Sequence, residues 1–229
     1  MYGYFYDSTY ILVLLGALIA MWASWNVRSS FRKYEKVANH GGITGAQAAE
    51  AILHGAGICD VRVEHISGSL TDHFSPEERV LRLSDSVYGS RSVAAIGVAA
   101  HECGHAMQYE ADYFPIHVRT AVIPMANIGS QLSWPLILAG LLLGWAGLVN
   151  IGIVLFALVV VFQLVTLPVE FDASGRAIRV LRETAMLNEQ ELEGAKRVLT
   201  AAALTYVAAL VSSALQLFRL VLLSQRRRR

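Results

Sequence analysis

Between Arg119 and Glu170 the chain carries no Asp, Glu, Lys or Arg. This run constrains the fold more than any other feature of the sequence. A membrane-crossing helix takes about 20 consecutive, mostly apolar residues. The run is long enough for two of them. Leu132 to Leu143 with Trp145 reads as one helix, and Ile153 to Leu167 as the next. Gly147, Asn150 and Gly152 supply turn residues between them. Pro168 has no backbone N–H and marks where the second helix should end or kink. The alternative is a buried hairpin in a soluble core, and a charge-free run of this length argues against it.

The rest of the composition agrees. Of 229 residues, 55% are hydrophobic and only 16% charged, where a soluble domain has about one quarter charged. Charged and uncharged stretches alternate, which points to an integral membrane protein with a polar portion. A net charge of +1 without a broad basic face gives no support to nucleic-acid binding. Two cysteines, Cys59 and Cys103, do not make a disulfide framework. A first apolar run, Ile11 to Trp25, follows Tyr10 and the cluster Tyr2, Tyr4, Phe5 and Tyr6. Aromatic residues at one end and Trp22 and Trp25 at the other suit the two membrane interfaces. No basic residue precedes the run, and Arg28, Arg32, Lys33 and Lys36 follow it, so an uncleaved anchor is expected rather than a signal peptide. A last run, Leu199 to Leu223, is interrupted by Arg219, which could snorkel, and precedes Arg226 to Arg229.

The polar segments read as mixed structure. Arg28 to His40 is expected to be helical and broken by Gly41-Gly42. Thr44 is placed as the N-cap of a helix over Gly45 to His54. Val61 to Ile66 alternates like a strand, and Leu70 to Phe74 could return as a second one. Val80 to Ser84 is also β-compatible. Ser92 should cap a helix running to Gln108, with Val93, Ile96 and Ala100 on one buried face.

That helix holds the residues with chemistry. His101 and His105 are four apart, so both imidazoles share one face, a turn apart. Glu102 between them can polarise a water beside a bound metal and carry its proton to a leaving amine. The pattern His-Glu-x-x-His is that of zinc metalloproteases. Gly104 leaves room for another element to approach. A polar trio in so apolar a helix requires a reason, because unpaired buried polar groups are costly. A pair of satisfied core histidines is the bland alternative.

A catalytic zinc takes three protein ligands and a water. The candidates for the third are Glu170, Asp172, Glu110, Asp112, His117, His73 and His65. Glu170 is preferred, as the first charged residue after the hydrophobic hairpin. Two crossings return the chain to the side it left, so Glu170 can meet His101 and His105. Asp172 is the runner-up, as ligand or as a group orienting a ligand histidine. Otherwise Glu170 is an interfacial carboxylate paired with Arg176 or Arg179.

The stretches Ala99 to Gln108 and Leu167 to Ser174 resemble the neutral zinc metallopeptidases of the YugP type in bacterial membranes. Leu70 to Phe74, Ser92 to Ile96, and Tyr113-Phe114-Pro115 with Arg119 fit the same family. There is a more distant similarity to the HtpX and CAAX-prenyl membrane proteases. The resemblance implies His101 and His105 as ligands, Glu102 as base and Glu170 as third ligand of one zinc per chain. Those distant families place an aspartate four residues after the ligand glutamate, where this chain has Ser174. The resemblance also implies that Val80 to Ser84 either binds substrate backbone as an edge strand or is an ordinary core strand. It makes Arg119, Tyr113 or His73 candidates to stabilise an oxyanion.

The expected class is a mainly α, zincin-like integral membrane protein with three or four membrane helices and a small β element beside the metal helix. The expected organisation is an anchor over 1–27, a catalytic part over 28–131 and a membrane hairpin over 132–168. A third-ligand segment over 169–198 and a hydrophobic helix with a basic tail over 199–229 follow. Its partners are a peptide or protein substrate and the lipid bilayer; the sequence leaves the oligomeric state open. Gly140, Gly144 and Gly147 permit close helix packing without saying against what. Basic residues after the first span and after Glu170 put the active site at the cytoplasmic face by the positive-inside rule. A crossing by the last helix would put the terminal arginines outside, against the same rule. The rival from another class is a catalytically inactive, zinc-containing membrane adaptor or scaffold.

Overall fold

A computed structural model describes residues 9–227. In chain order the elements are α1 (Tyr10–Tyr34), α2 (Gly45–Gly55), β1 (Arg62–Ile66), β2 (His73–Ser75), β3 (Val80–Ser84), α3 (Val93–Glu110), α4 (Phe114–Leu142), α5 (Ala146–Glu183) and α6 (Glu189–Arg227). The aromatic cluster Tyr2, Tyr4, Phe5 and Tyr6, and the last two arginines, lie outside the described residues. The chain is a mainly α, integral membrane protein with a small sheet, and it divides into two compact units.

The first unit comprises residues 9–24, His117–Leu167 and residues 205–227. Its helical segments belong to α1, α4, α5 and α6, the four helices among the described residues that are long and apolar enough to cross a membrane. Leu14, Leu18, Trp22, Leu138, Val154, Val161 and Leu164 are exposed. Apolar surface on this scale is unfavourable in water and belongs against lipid. With little hydrophobic drive between helices in lipid, packing depends on small residues and polar contacts. At Gly152 an added Cβ would stand 2.6 Å from Ile137 Cγ1 and 2.8 Å from the Ser133 carbonyl. At Gly129 it would stand 2.5 Å from the Leu155 carbonyl. Gly140 abuts Val149, so α4 and α5 close on each other through their glycines. On another pair of helices, Ser212 Oγ donates to the Gly16 carbonyl at 2.8 Å. The Arg219 guanidinium sits 4.1 Å from the Tyr10 ring centroid, a cation–π contact rather than a lone charge in an apolar helix.

The hairpin differs from its sequence reading in three ways. Its turn is at 143–145, where Gly144 adopts φ +66°; Gly147, Asn150 and Gly152 lie inside α5. Gly144 is where the chain needs a left-handed residue. Helix α4 begins at Phe114 and contains Pro124 and Pro135. Finally, α5 does not end at Pro168 but continues to Glu183. Proline at 168 deprives the Leu164 carbonyl of one donor, and the helix absorbs that loss.

The second unit comprises Trp25–Ile116 and Pro168–Leu204. Thr44 caps α2 in a capping box with Gln47, and the Ser92 hydroxyl accepts from Ala95 N at the start of α3. Both caps were expected, and both satisfy amide groups that a helix start leaves open. The charged stretch after the first span is helical only to Tyr34. The sheet has the order β1-β3-β2, with β1 and β3 parallel and β2 and β3 antiparallel. Thus Val80–Ser84 is the central strand and not an edge. Its Val80, Leu81 and Leu83 are fully buried, which is what a strand paired on both sides in a core requires. The expected second strand forms later and shorter, at His73–Ser75. The core joins Ile52, Leu53, Leu81, Leu83, Ile96, Ala99, Ala177, Leu181 and Leu199.

Close packing of the hairpin predicts opposite effects for two glycines of α5. Gly152→Val should lower the thermal midpoint of the detergent-solubilised protein, since overpacking costs about 1–3 kcal/mol. Gly175 has nothing within 4 Å of an added Cβ, and Gly175→Ala should raise the midpoint through the up to about 1 kcal/mol better helix propensity of alanine. A Gly152→Val protein that melts with wild type would contradict this packing.

Candidate metal centre

Helices α3 and α5 form the site within the second unit. They touch at Gly104, where an added Cβ would run into the Ala173 carbonyl and its carbonyl carbon. The missing side chain permits the backbone of α5 to come that close, as the sequence anticipated for Gly104. Three side-chain contacts follow from this crossing. His101 Nε2 lies 3.4 Å, and His105 Nε2 3.8 Å, from Glu170 Oε2. Within α3 itself the two imidazole rings meet edge-on with centroids 4.8 Å apart. Ser174 Oγ is 3.1 Å from His101 Nδ1.

His101, His105 and Glu170 form the metal-type cluster found among the described residues, with the ligand atoms within 4.8 Å of one another. Glu170 and His105 are buried, and so is Glu102. Two imidazole nitrogens and one carboxylate oxygen are the donor set of a catalytic zinc, with the fourth position left for water. Ligands about 2.1 Å from a tetrahedral ion stand roughly 3.4 Å apart, which matches the spacing on Glu170 Oε2. The residues fit zinc.

Asp172 does not join the cluster. Its Oδ2 accepts from Gln108 Nε2 at 2.8 Å and from Arg176 Nε at 2.6 Å. Arg176 thus pairs with Asp172, and its guanidinium lies 5.6 Å from the Tyr113 ring centroid. His73 is on β2, with its Nδ1 against the Thr71 carbonyl at 2.9 Å. His65 pairs with Asp85, and Glu110 with Arg79. Arg119 and His117 lie on α4, among the residues of the first unit, and Asp112 follows Ala111, the C-cap of α3.

Gln108 is the functional candidate that sequence reasoning passed over. It is fully buried. Its Oε1 lies 3.0 Å from His105 Nδ1, and its Nε2 donates to the Val169 carbonyl at 2.7 Å as well as to Asp172. The signal was present: residues 101, 105 and 108 follow the i, i+4, i+7 stripe of one helix face. A polar residue on that stripe in an apolar helix needs partners, as the histidines do.

The chain matches the family model described as "Putative neutral zinc metallopeptidase" over residues 9–225. It is 45% identical over 215 residues to the "Putative membrane protease YugP" of Bacillus subtilis (strain 168), which covers 93% of this chain and 96% of that protein. No solved structure matches the chain.

The other face of the motif helix is testable through its thiols. Cys103 is fully buried, its thiol donates to the Ala49 carbonyl at 3.6 Å, and burial pushes it well above the ordinary thiol range. Cys59 is exposed. A thiol reagent should therefore modify Cys59 alone in the folded protein and both cysteines after denaturation. Rapid labelling of Cys103 under native conditions would contradict the packing of α2 on α3.

Proposed function

This chain belongs to the neutral zinc metallopeptidase family, and we propose that it is a membrane-bound endopeptidase that hydrolyses peptide bonds with one zinc per chain. The observation that supports this reading best is the approach of both imidazole Nε2 atoms to one buried carboxylate oxygen, beside a buried Glu102. His101, His105 and Glu170 would hold the metal. When bound, zinc supplies Lewis acidity toward the scissile carbonyl and toward water.

The remaining work falls to Glu102. Its carboxylate accepts a proton from the attacking water as the oxygen adds to the carbonyl carbon. It then delivers that proton to the amide nitrogen as the C–N bond breaks, so that one water is consumed and an acid and an amine are released. General acid–base catalysis of this kind contributes about 10²–10⁴-fold. Burial of Glu102 keeps bulk water from competing for the proton. Tyr113, Arg119 and His73 are proposed as residues that bind substrate or stabilise developing charge, and the contacts of Tyr113 with Arg176 make it the one tied to the α5 network.

Purified Glu102→Gln should retain stoichiometric zinc and lose peptide hydrolysis by at least about 10²-fold. His105→Ala and Glu170→Ala should lose the zinc itself, measured by metal analysis after dialysis. An equally active Glu102→Gln protein would overturn the peptidase reading. A protein that retains zinc but shows no turnover on a broad peptide library would favour the adaptor.

We further propose that the active site faces the cytoplasm. Arg28, Arg32 and Lys33 end α1, and Arg176, Arg179 and Arg182 follow the apolar part of α5, which the positive-inside rule places within the cell. Exposed Cys59 reports the side directly. A membrane-impermeant maleimide should label it only after intact cells are permeabilised; equal labelling beforehand would reverse the orientation.

A further inference from the structure

We propose that Gln108 is a positioning residue that commits His105 to a single tautomer, the one with its proton on Nδ1 and its Nε2 lone pair toward Glu170. The inference bears on the metallopeptidase reading, but its primary measurement needs no metal and no turnover.

The buried amide of Gln108 has a fixed inventory of donors and acceptors. A glutamine side chain offers two N–H donors and one carbonyl acceptor. Both Gln108 donors point at oxygens that only accept in this arrangement. One is the Val169 carbonyl, at 2.7 Å. The other is Asp172 Oδ2, at 2.8 Å, which also receives the Arg176 Nε–H at 2.6 Å. A guanidinium nitrogen has no acceptor role, so Oδ2 is an acceptor toward both neighbours. Turning the amide over would set its oxygen against two acceptor oxygens and break two hydrogen bonds at a fully buried position. A buried group left unsatisfied in this way keeps its full desolvation cost. The amide is therefore held one way round, with Oε1 toward His105 Nδ1 at 3.0 Å.

An amide oxygen can only accept. The neutral imidazole carries one proton on one of its two nitrogens, so this contact requires it on Nδ1. The lone pair then falls on Nε2, the atom 3.8 Å from Glu170 Oε2 and the form in which histidine ligates a metal. The chain Arg176–Asp172–Gln108–His105 thus transmits the fixed donor character of a guanidinium to the tautomer of an imidazole. Asp172 acts here as the anchor of an amide.

His101 provides an internal contrast. Its Nδ1 faces the Ser174 hydroxyl at 3.1 Å, and a hydroxyl can donate or accept. That contact orients the ring without choosing its tautomer. The two histidines of the motif therefore differ in how firmly they are prepared.

The test uses the full-length protein in detergent micelles, with ¹⁵N-labelled histidine and the metal removed. The His105 signals are assigned by their loss in His105→Gln. Wild type is expected to show His105 with Nδ1 protonated and Nε2 unprotonated. Gln108→Met, similar in length but with only a weakly accepting sulfur, should lose that bias. Zinc affinity, read by competition with a chromophoric chelator, should fall about 10–100-fold in Gln108→Met. An Nε2-protonated His105 in wild type overturns the proposal, whatever the variants do. So does a Gln108→Met protein with wild-type tautomer and zinc affinity. A wild type that binds no zinc but holds the Nδ1-protonated form leaves this proposal standing and removes the peptidase reading.

Discussion

The close approach of α3 to α5 at Gly104 is the contact on which the rest of the site depends. Any side chain at 104 would meet the backbone of Ala173, so this crossing distance is available to glycine alone. Once the helices are this near, contacts between them fall at helical intervals. Residue 101 meets 174 and 170, 104 meets 173, 105 meets 170, and 108 meets 169 and 172. From 101–174 to 108–169 the contacts fall along α5 as they rise along α3, as in helices running in opposite directions. Ala173 and Ala177 are fully buried, and their small size extends the near approach toward the next turn.

That geometry resolves a problem the sequence poses. Helix α3 is apolar along most of its length, yet it buries Glu102, His105 and Gln108. Buried polar groups are tolerable only when they are satisfied. For His101, His105 and Gln108, helix α5 brings partners: a carboxylate, a hydroxyl, a backbone carbonyl and the Asp172–Arg176 pair. A network of this sort is costly when half satisfied and specifying when complete. This is why the cluster sits on two rigid helices and not on loops.

Much of this was legible in the chain, and the parts that were not have identifiable physical causes. The His101–His105 spacing, the Thr44 and Ser92 caps and the pairing of Glu170 with the histidines follow from local periodicity or from the parity of two crossings. Local rules failed where tertiary contacts override them. Pro168 breaks an isolated helix, yet α5 runs through it to Glu183. Gly147 and Gly152 look like turn residues, yet both lie within α5, and Gly152 packs directly against Ser133 and Ile137 of α4. The alternation in Val80–Ser84 describes a strand but not its neighbours, and only the assembled sheet puts it in the centre. Gln108 lay on the right stripe but was passed over, because an amide carries no charge to attract notice.

The number of membrane spans affects the site less than it affects the rest of the chain. Residues 101–108 precede α4, and residues 169–176 lie on α5. What brings the two segments to one side is that α4 and α5 form a pair; both are apolar and long enough to cross. The same holds whichever way the pair is oriented, and whether or not α6 crosses after it. Only the terminal arginines depend on α6. The tension between those arginines and the positive-inside rule therefore concerns the tail of the chain. Assembly of the cluster requires only an even number of crossings between its halves, together with the one glycine that lets them touch.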